Sequence, residues 1–154
     1  SEVKKRSKKP LVVKLSPNVT SITDIAKAAE DGGADGLSLI NTLLGMKIDI
    51  DTRRPILANN MGGLSGPCVK PVAVRMVYQV HNAVKIPIIG MGGIMCAEDV
   101  IEFMLAGASL AALGTGLFVN PCLITEVKEG IERYMNKHGI TDINDIIGKV
   151  TLNG

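Results

Sequence analysis

The sequence predicts an α/β domain built on a parallel β-sheet, and three observations support this prediction. Short aliphatic runs alternate with stretches of helical spacing four times along the 154 residues, and glycine-rich or polar turns separate the two kinds of segment. The chain is 46% hydrophobic but only 3% aromatic, so aliphatic side chains must fill the core. Strands that alternate with helices are typical of βαβ units, whose parallel strands are buried under helices.

The predicted strands are four aliphatic runs of five residues each, and every run ends at a turn. They lie at residues 11–15, 36–40, 86–90 and 109–113. Chains that connect parallel strands of one sheet cross over with a right hand. We therefore expect each crossover in this chain to be right-handed.

Four helices are predicted from the spacing of apolar residues. They cover residues 20–31, 71–84, 97–106 and 123–138. The first of them shows the pattern in the apolar positions Ile22, Ile25, Ala26 and Ala29. These positions lie on one face of a helix, and Gly32 and Gly33 provide the stop signal that follows it.

One connection, residues 43–70, is too long to be an ordinary turn. It contains two prolines and several glycines, namely Gly45, Gly62, Gly63 and Gly66. Loops of this length in compact domains are usually either functional or disordered. Because the segment is not of low complexity, we predict a lid or a binding loop in preference to a linker.

The charge of the chain gives little support to a nucleic-acid partner. The formal net charge is +2, although five basic residues crowd near the start of the chain: Lys4, Lys5, Arg6, Lys8 and Lys9. Such a run can be an arm that binds nucleic acid, or it can be the solvated end of a helix. We favour the helix end, because the run leads directly into the strand predicted at residues 11–15.

The three cysteines, Cys68, Cys96 and Cys122, are far apart and form no C-x-x-C pair. This spacing argues against a metal site and against a disulfide framework, and it favours a reducing, cytoplasmic setting. No apolar run approaches the roughly 20 residues of a membrane span, and no signal peptide is predicted at the start. We expect a soluble chain without a membrane partner, folded as a single domain over residues 1–154.

Glycine-rich turns follow the third and fourth predicted strands, at residues 90–93 and 114–116. Glycines let the backbone approach a ligand and turn N–H groups toward an anion. Ligands of parallel α/β proteins bind beyond the carboxyl ends of the strands, where barrels often hold a phosphate. Either turn alone could be only a tight βα turn, but the pair favours a phosphate site.

Polar residues follow the first two predicted strands. Lys14 is expensive to bury unless its charge is used, so it either faces solvent or holds an anionic ligand. Asn41 and Thr42 are either ordinary turn formers or hydrogen-bonding partners of a planar polar substrate. The residues alone leave both alternatives open at each of these positions.

Five stretches, in this order and spacing, resemble class 1B dihydroorotate dehydrogenases. They are KLSPN at 14–18, LINTLLG at 39–45, GGLSGP at 62–67, PIIGMGGI at 87–94 and GT at 114–115. The similarity extends over residues 10–140. It implies a (β/α)8 (TIM) barrel that holds FMN, of which this chain resembles the C-terminal half, strands five to eight. The implied activity is the FMN-dependent oxidation of dihydroorotate to orotate in pyrimidine biosynthesis. The implied partner is an electron-transfer subunit that carries FAD and an iron–sulfur cluster and passes electrons to NAD.

The resemblance also implies roles for individual residues. Those implied to contact the cofactor are Lys14, Ile40, Gly66, Gly92, Gly93, Gly114 and Thr115. Lys14 is implied to lie at the pyrimidine edge of the flavin, where a fixed positive charge stabilises the anionic reduced form. Asn41 and Thr42 are implied to hydrogen-bond the dihydroorotate or orotate ring.

The chain also departs from the family pattern. The catalytic base of the family is a cysteine on a loop of the first half of the barrel, and none of the three cysteines here occupies its place. Gly116 stands where the family often has alanine. We expect this chain alone to be inactive. Two alternative functions remain: another pyrimidine-acting flavoprotein such as dihydropyrimidine dehydrogenase, and a noncatalytic half-barrel with a phosphate site.

Half of a barrel would leave two open sheet edges, at residues 11–15 and 109–113. It would also expose the inward face of the sheet, which we assign to Val12 or Val13 together with Leu15. We therefore expect the chain to form homo-oligomers through these edges.

Overall fold

A computed structural model gives the fold of residues 2–153, which form eight strands and six α-helices. The strands are β1 (Val12–Lys14), β2 (Gly36–Leu39), β3 (Leu43–Gly45), β4 (Ile48–Asp49), β5 (Arg54–Pro55), β6 (Gly62–Leu64), β7 (Ile88–Met91) and β8 (Leu110–Ala112). The helices are α1 (Glu2–Arg6), α2 (Ile22–Asp31), α3 (Lys70–His81), α4 (Ala97–Leu105), α5 (Gly116–Val119) and α6 (Leu123–His138). Two short 3-10 helices lie at Pro67–Val69 and Ile143–Ile146.

The central sheet has four parallel strands in the order β1-β2-β7-β8. The predicted α/β class with a parallel sheet is therefore confirmed. All four predicted strands and all four predicted helices are present, with ends that differ by up to three residues. Gly139 ends α6 at a φ of 64°, at the predicted residue. α2 begins two residues later than predicted, because the Ser21 side chain caps it by accepting from the N–H of Asp24.

The third predicted strand is displaced along the chain. It begins at Ile88 and runs through Met91, so Gly90 lies in the strand, as predicted, and the turn begins only after Met91 and not at Gly90. A β-carbon at Gly90 would lie 2.6 Å from the ring of Phe103. Glycine is therefore required at this position because the strand packs closely on a helix. The sequence alone does not distinguish a glycine needed for close packing from a glycine needed for a turn.

One face of the sheet is covered by helices and the other is not. Leu37, Leu39 and Ile88 point toward the helices and are fully buried, and Leu15, next to the end of β1, joins them in the core. Side chains alternate between faces along a strand, and the register places Val12 and Leu110 on the opposite face, 46% and 61% exposed. The assignment of Leu15 to the uncovered face was therefore wrong, and of its two valine alternatives Val12 is the correct one.

The long connection is an ordered arm that contains four short strands. β3 pairs with β6 and β4 pairs with β5, both antiparallel, and a 3-10 helix leads from the arm into α3. Asn18 holds the base of the arm: its Nδ2 donates to the carbonyl of Thr42 at 2.9 Å, and its Oδ1 accepts from the N–H of Leu44 at 2.9 Å. The sequence did not predict these ribbons, because none of their strands is longer than three residues.

The basic run near the start of the chain lies at the end of a helix, as predicted: its first three residues form the last turn of α1, and Lys8 and Lys9 follow that helix. Lys4 in α1 pairs with Asp35 at 2.5 Å, and the same carboxylate accepts from the N–H of Leu11 at 2.6 Å. This contact joins the helix to the segment that leads into β1. None of the helices described for residues 2–153 is long and apolar enough to cross a membrane.

Candidate functional site

A cavity of about 370 Å³ lies beyond the carboxyl ends of the four parallel strands. All nine residues predicted to bind cofactor or substrate line it: Lys14, Ile40, Asn41, Thr42, Gly66, Gly92, Gly93, Gly114 and Thr115. A volume of this size is within the usual range for ligand pockets, roughly 300–1,000 Å³. The structure therefore brings together every predicted site residue, at the edge of the sheet where parallel α/β proteins bind their ligands.

Five separate segments supply these residues. Lys14 ends β1, residues 40–42 follow β2, residues 92–93 follow β7 and residues 114–115 lie just beyond β8. Gly66 comes from the arm, at the start of its 3-10 helix. The peptide bond between Leu39 and Ile40 is cis. Through Leu64, Ser65 and Gly66 the arm forms one wall of the cavity.

Lys14 is the one ionisable side chain among the described residues that line the cavity. It is exposed, and it forms no salt bridge with any of residues 2–153. Its neighbours in the lining are apolar or neutral, including Ile40 and Met91. A cation without a carboxylate partner beside apolar groups is suited to an anionic ligand, because no internal charge competes for it.

The glycine turns after β7 and β8 present backbone donors. The N–H groups of Gly93, Gly114 and Thr115 have no hydrogen-bond acceptor within residues 2–153. Gly92 and Gly93 have φ angles of 126° and 76°, which side-chain-bearing residues rarely adopt. A β-carbon on Gly93 would also lie 2.7 Å from the carbonyl oxygen of Gly66. Unpaired N–H groups on such turns are the donor set that a phosphate group requires.

Asn41 and Thr42 are held by their backbones, which leaves their side chains at the cavity. The N–H of Asn41 donates to the carbonyl of Leu15 at 3.1 Å, and the carbonyl of Thr42 accepts from Asn18. Both residues are exposed. Of the residues the structure describes, none accepts from or donates to the Asn41 side chain, so its amide remains available for a ligand.

Two residues behind the cavity were missed by the sequence reasoning. Lys70 Nζ donates to Asp99 Oδ1 at 2.6 Å and also contacts the Glu102 carboxylate. Asp99 Oδ2 accepts from the N–H groups of Met95 at 2.7 Å and Cys96 at 3.2 Å. Residues 96–99 form a capping box at the start of α4. The pattern C-x-x-D was visible in the sequence, but cysteine is not a usual capping residue.

The protonation states of this group follow from its contacts. The hydrogen bonds from Lys70 to Asp99 and Glu102 raise the pKa of Lys70. Partial burial acts to raise the pKa of Asp99, but the hydrogen bonds from Lys70 and Met95 outweigh it and hold that pKa below its usual value. Both groups therefore stay charged at neutral pH.

None of the three cysteines lines the cavity. Cys68 and Cys122 are exposed, and the thiol of Cys68 donates to the carbonyl of Ser65 at 3.8 Å. Burial is the main cause that raises the pKa of the Cys96 thiol. Within residues 2–153, no group of three or more His, Cys, Asp or Glu side chains is arranged to hold a metal ion.

Comparison with known proteins gives the family of the chain. The sequence profile described as dihydroorotate dehydrogenase matches residues 1–135. The chain belongs to the dihydroorotate dehydrogenase family. The resemblance found in its five motifs is thereby confirmed at the level of the family.

Several relatives in the dihydroorotate dehydrogenase family carry the name dihydroorotate dehydrogenase B (NAD(+)), catalytic subunit. Those from Lachnoclostridium phytofermentans and Alkaliphilus oremlandii are 65% identical over 149 residues and 66% identical over 148 residues. The one from Brachyspira hyodysenteriae is 62% identical over 146 residues. These alignments cover 97%, 96% and 95% of this chain, but 50%, 49% and 48% of the relatives. The chain spans about half the length of the curated relatives it matches.

Proposed function

We propose that the chain forms the second half, strands five to eight, of an FMN-binding (β/α)8 barrel in an NAD-type dihydroorotate dehydrogenase. The observation that carries this proposal is the convergence of nine predicted site residues from five segments on one cavity. The family membership and the names of the relatives support the reaction class. The four parallel strands in chain order, with one face uncovered, support a single half-barrel domain over residues 1–154.

The residues present fit FMN as the cofactor. The unpaired N–H groups of Gly93, Gly114 and Thr115 would hold its phosphate, and Gly66 and Gly92 would allow close approach of the backbone. Ile40 and the apolar lining would contact the ring system, and Lys14 would supply a positive charge beside it. When bound, FMN supplies the chemistry of hydride acceptance, which no side chain of this cavity can provide.

The substrate of the complete enzyme would be dihydroorotate and its product orotate. Asn41 and Thr42 offer both donors and acceptors, which suits a planar ring with alternating N–H and C=O groups. Their backbones are fixed by Leu15 and Asn18, so the main chain that carries the two side chains is already in place when the ring binds. Lys14 is the one charged side chain of the described lining, so no carboxylate in that lining repels the carboxylate of the substrate.

The described lining of the cavity supplies no carboxylate, histidine or cysteine that could act as a general base. Lys14 is its single ionisable side chain, and in this proposal it serves as a cation beside the ligand. Positioned acid–base catalysis typically contributes a factor of about 10² to 10⁴. We therefore propose that the 154-residue chain alone does not turn over dihydroorotate, and that the base belongs to the other half of the barrel.

The partners of the complete enzyme follow from the same reasoning. The relatives are named catalytic subunits and carry NAD(+) in their names, which supports a separate electron-transfer subunit with FAD and an iron–sulfur cluster. The open edges of the sheet support homo-oligomers of this chain. Three free cysteines support a cytoplasmic setting.

The alternatives differ in how well the observations support them. Every relative named above is a dihydroorotate dehydrogenase, and no feature of the cavity favours a dihydropyrimidine dehydrogenase. The absence of an ionisable group other than Lys14 from the described lining supports the noncatalytic half-barrel as a description of the isolated chain. That description and the proposed function are compatible.

Binding of FMN tests the proposal, with two glycine variants that carry similar backbone strain. Gly93→Ala places a β-carbon 2.7 Å from the Gly66 carbonyl at a φ of 76°, whereas Gly139→Ala imposes a φ of 64° in open space away from the cavity. We expect quenching of FMN fluorescence by the wild-type chain and by Gly139→Ala, and its loss in Gly93→Ala. Absence of binding by the wild-type chain, or equal loss in both variants, would overturn the proposed site.

A further inference from the structure

The turn that follows β7 is in direct contact with the segment that carries Gly66. A β-carbon on Gly93 would lie 2.7 Å from the Gly66 carbonyl oxygen, 3.0 Å from Cβ of Lys70 and 3.1 Å from its backbone nitrogen. Lys70 is the first residue of α3, and Gly66 lies four residues before it. The stem of Lys70 therefore lies directly against the turn that presents the Gly93 N–H group to the cavity.

The other end of the Lys70 side chain reaches the same turn through Asp99. Its ammonium group donates to Asp99 Oδ1 at 2.6 Å, while Asp99 Oδ2 accepts from Met95 and Cys96. Met95 lies two residues beyond Gly93 and itself lines the cavity. Lys70 thus contacts the turn at two points, by its stem at Gly93 and through a carboxylate at Met95.

Partial burial strengthens the ion pair between Lys70 and Asp99. The side chain of Lys70 is 25% exposed and that of Asp99 is 11% exposed, so solvent screens their attraction only in part. Both remain charged at neutral pH, and hydrogen bonds between charged groups are stronger than neutral ones. Glu102, the second carboxylate that contacts Lys70, is 51% exposed, and its side chain makes no hydrogen bond to the turn within residues 2–153.

We propose that Lys70 and Asp99 are positioning residues for a bound phosphate group, because their ion pair fixes the turn at residues 92–96 against the Gly66 segment. Neither residue lines the cavity. Their effect on the ligand is exerted through the backbone donors of that turn. This inference rests on the proposed function, which assigns a phosphate site to the N–H groups of Gly93 and Thr115.

Titration with inorganic phosphate tests the proposal, with the amide resonances of Gly93 and Thr115 as the readout. Asp99→Asn keeps the shape of the side chain and an acceptor for the turn, but it removes the charge that holds Lys70. Loss of a hydrogen bond between charged groups is expected to weaken phosphate binding about tenfold. Lys70→Met, which leaves the capping carboxylate in place, should have the same effect and serves as the test if Asp99→Asn does not fold.

Two control variants separate positioning from a general effect of charge or stability. Lys70→Arg keeps a cation beside Asp99, and we expect it to retain most of the phosphate affinity. Glu102→Gln removes the other carboxylate near Lys70 without touching the turn, and we expect the dissociation constant to stay within about twofold. Unfolding midpoints measured for all variants show whether a loss of stability accompanies the loss of affinity.

The outcomes distinguish this inference from the function on which it rests. If the wild-type amides of Gly93 and Thr115 do not respond to phosphate, the proposed phosphate site fails, and the positioning role fails with it. If they respond equally in wild type, Asp99→Asn and Lys70→Met, the site stands and the positioning role is overturned. An equal loss of affinity in Glu102→Gln would also overturn it, because that change leaves the link to the turn intact.

Discussion

The side chain of Thr42 lies directly over the α-carbon of Gly63. A β-carbon at Gly63 would be 2.7 Å from Cβ of Thr42, and closer still to its hydroxyl oxygen. Gly63 belongs to β6 of the arm, and Thr42 immediately precedes β3, its partner strand. Absence of a side chain at Gly63 therefore determines where Thr42 presents its hydroxyl group at the cavity.

Replacement of Gly63 by alanine is expected to displace Thr42 and weaken the binding of orotate. Forcing an additional carbon into a filled space typically costs about 1–3 kcal/mol, which corresponds to roughly tenfold or more in affinity. Gly45→Ala is the matched control, because its β-carbon would meet Leu64 at an ordinary 3.5 Å in the same ribbon. Isothermal titration of both variants with orotate measures the effect, and similar affinities in the two would contradict the role given to Thr42.

Replacement of Lys14 by methionine is expected to change ligand binding without changing stability. Lys14 is exposed and forms no salt bridge with residues 2–153, so the free energy of unfolding should change by no more than about 0.5 kcal/mol. Loss of a hydrogen bond from a charged donor should weaken FMN binding by about tenfold or more. Lys27→Met, on the exposed side of α2, is the control. A large fall in unfolding midpoint for Lys14→Met would show that the lysine has a structural role instead.

The ion pair of Lys70 and Asp99 predicts a specific loss of stability in acid. The pKa of Asp99 is lowered in the folded chain, so the pair stabilises the fold above the ordinary carboxyl pKa, about 3.9, and loses this contribution as pH falls through the lower folded value. The raised pKa of Lys70 has no effect in this range, because the lysine is protonated in both states. We expect the free energy of unfolding to fall less steeply below about pH 4 in Asp99→Asn than in wild type.

Chemical denaturation at a series of pH values measures this difference. Asp35 and Asp49, two other carboxyl groups with lowered pKa values, owe them to contacts that do not involve Asp99, so their contributions cancel in the comparison. Parallel curves for the two proteins would show that the ion pair does not contribute to stability.

The uncovered face of the sheet predicts self-association of the isolated chain. β1 and β8 are the edge strands, and Val12 and Leu110 on them are 46% and 61% exposed. Exposed aliphatic edges pair readily with other strands. Light scattering should therefore give a mass above that of one chain, and Leu110→Lys should lower it. Ile124→Lys, a change at a similarly exposed position on α6, should not. A uniform monomer of the wild-type chain at high micromolar concentration would rule out the association.

The central sheet could be predicted because each of its elements agrees with a local rule. Aliphatic runs bounded by turn residues marked the strands, and Gly32 and Gly33 marked the end of the first predicted helix. The arm could not be predicted in the same way. Its strands are two or three residues long, and they are held by antiparallel pairing and by Asn18, which is distant in sequence.

The residues that line the cavity could be predicted, but the contacts that hold its walls in place could not. Parallel strands all end at one edge of the sheet, so residues that follow successive strands had to meet there. The link from Lys70 to Asp99 joins residues 29 positions apart on two different helices. The spacing of residues in a sequence does not predict such a contact, because each of the two residues by itself is an ordinary charged residue near the start of a helix. Close packing at Gly63 and Gly90 was likewise hidden, since a glycine in a sequence does not show which side chain occupies the space beside it.

Most of the nine residues predicted to contact a ligand lie outside the tightly packed interior, and this separation affects how such a chain can evolve. Of these nine, Ile40 alone belongs to the buried core of residues 2–153, which Ile94, elsewhere in the cavity lining, also joins. Substitutions at Asn41 or Thr42 can therefore alter ligand preference while the interior continues to stabilise the fold. Proteins with this fold can therefore change from one ring-shaped ligand to another through a few substitutions at exposed cavity residues. Selection for ligand binding and selection for stable folding then act largely on different residues.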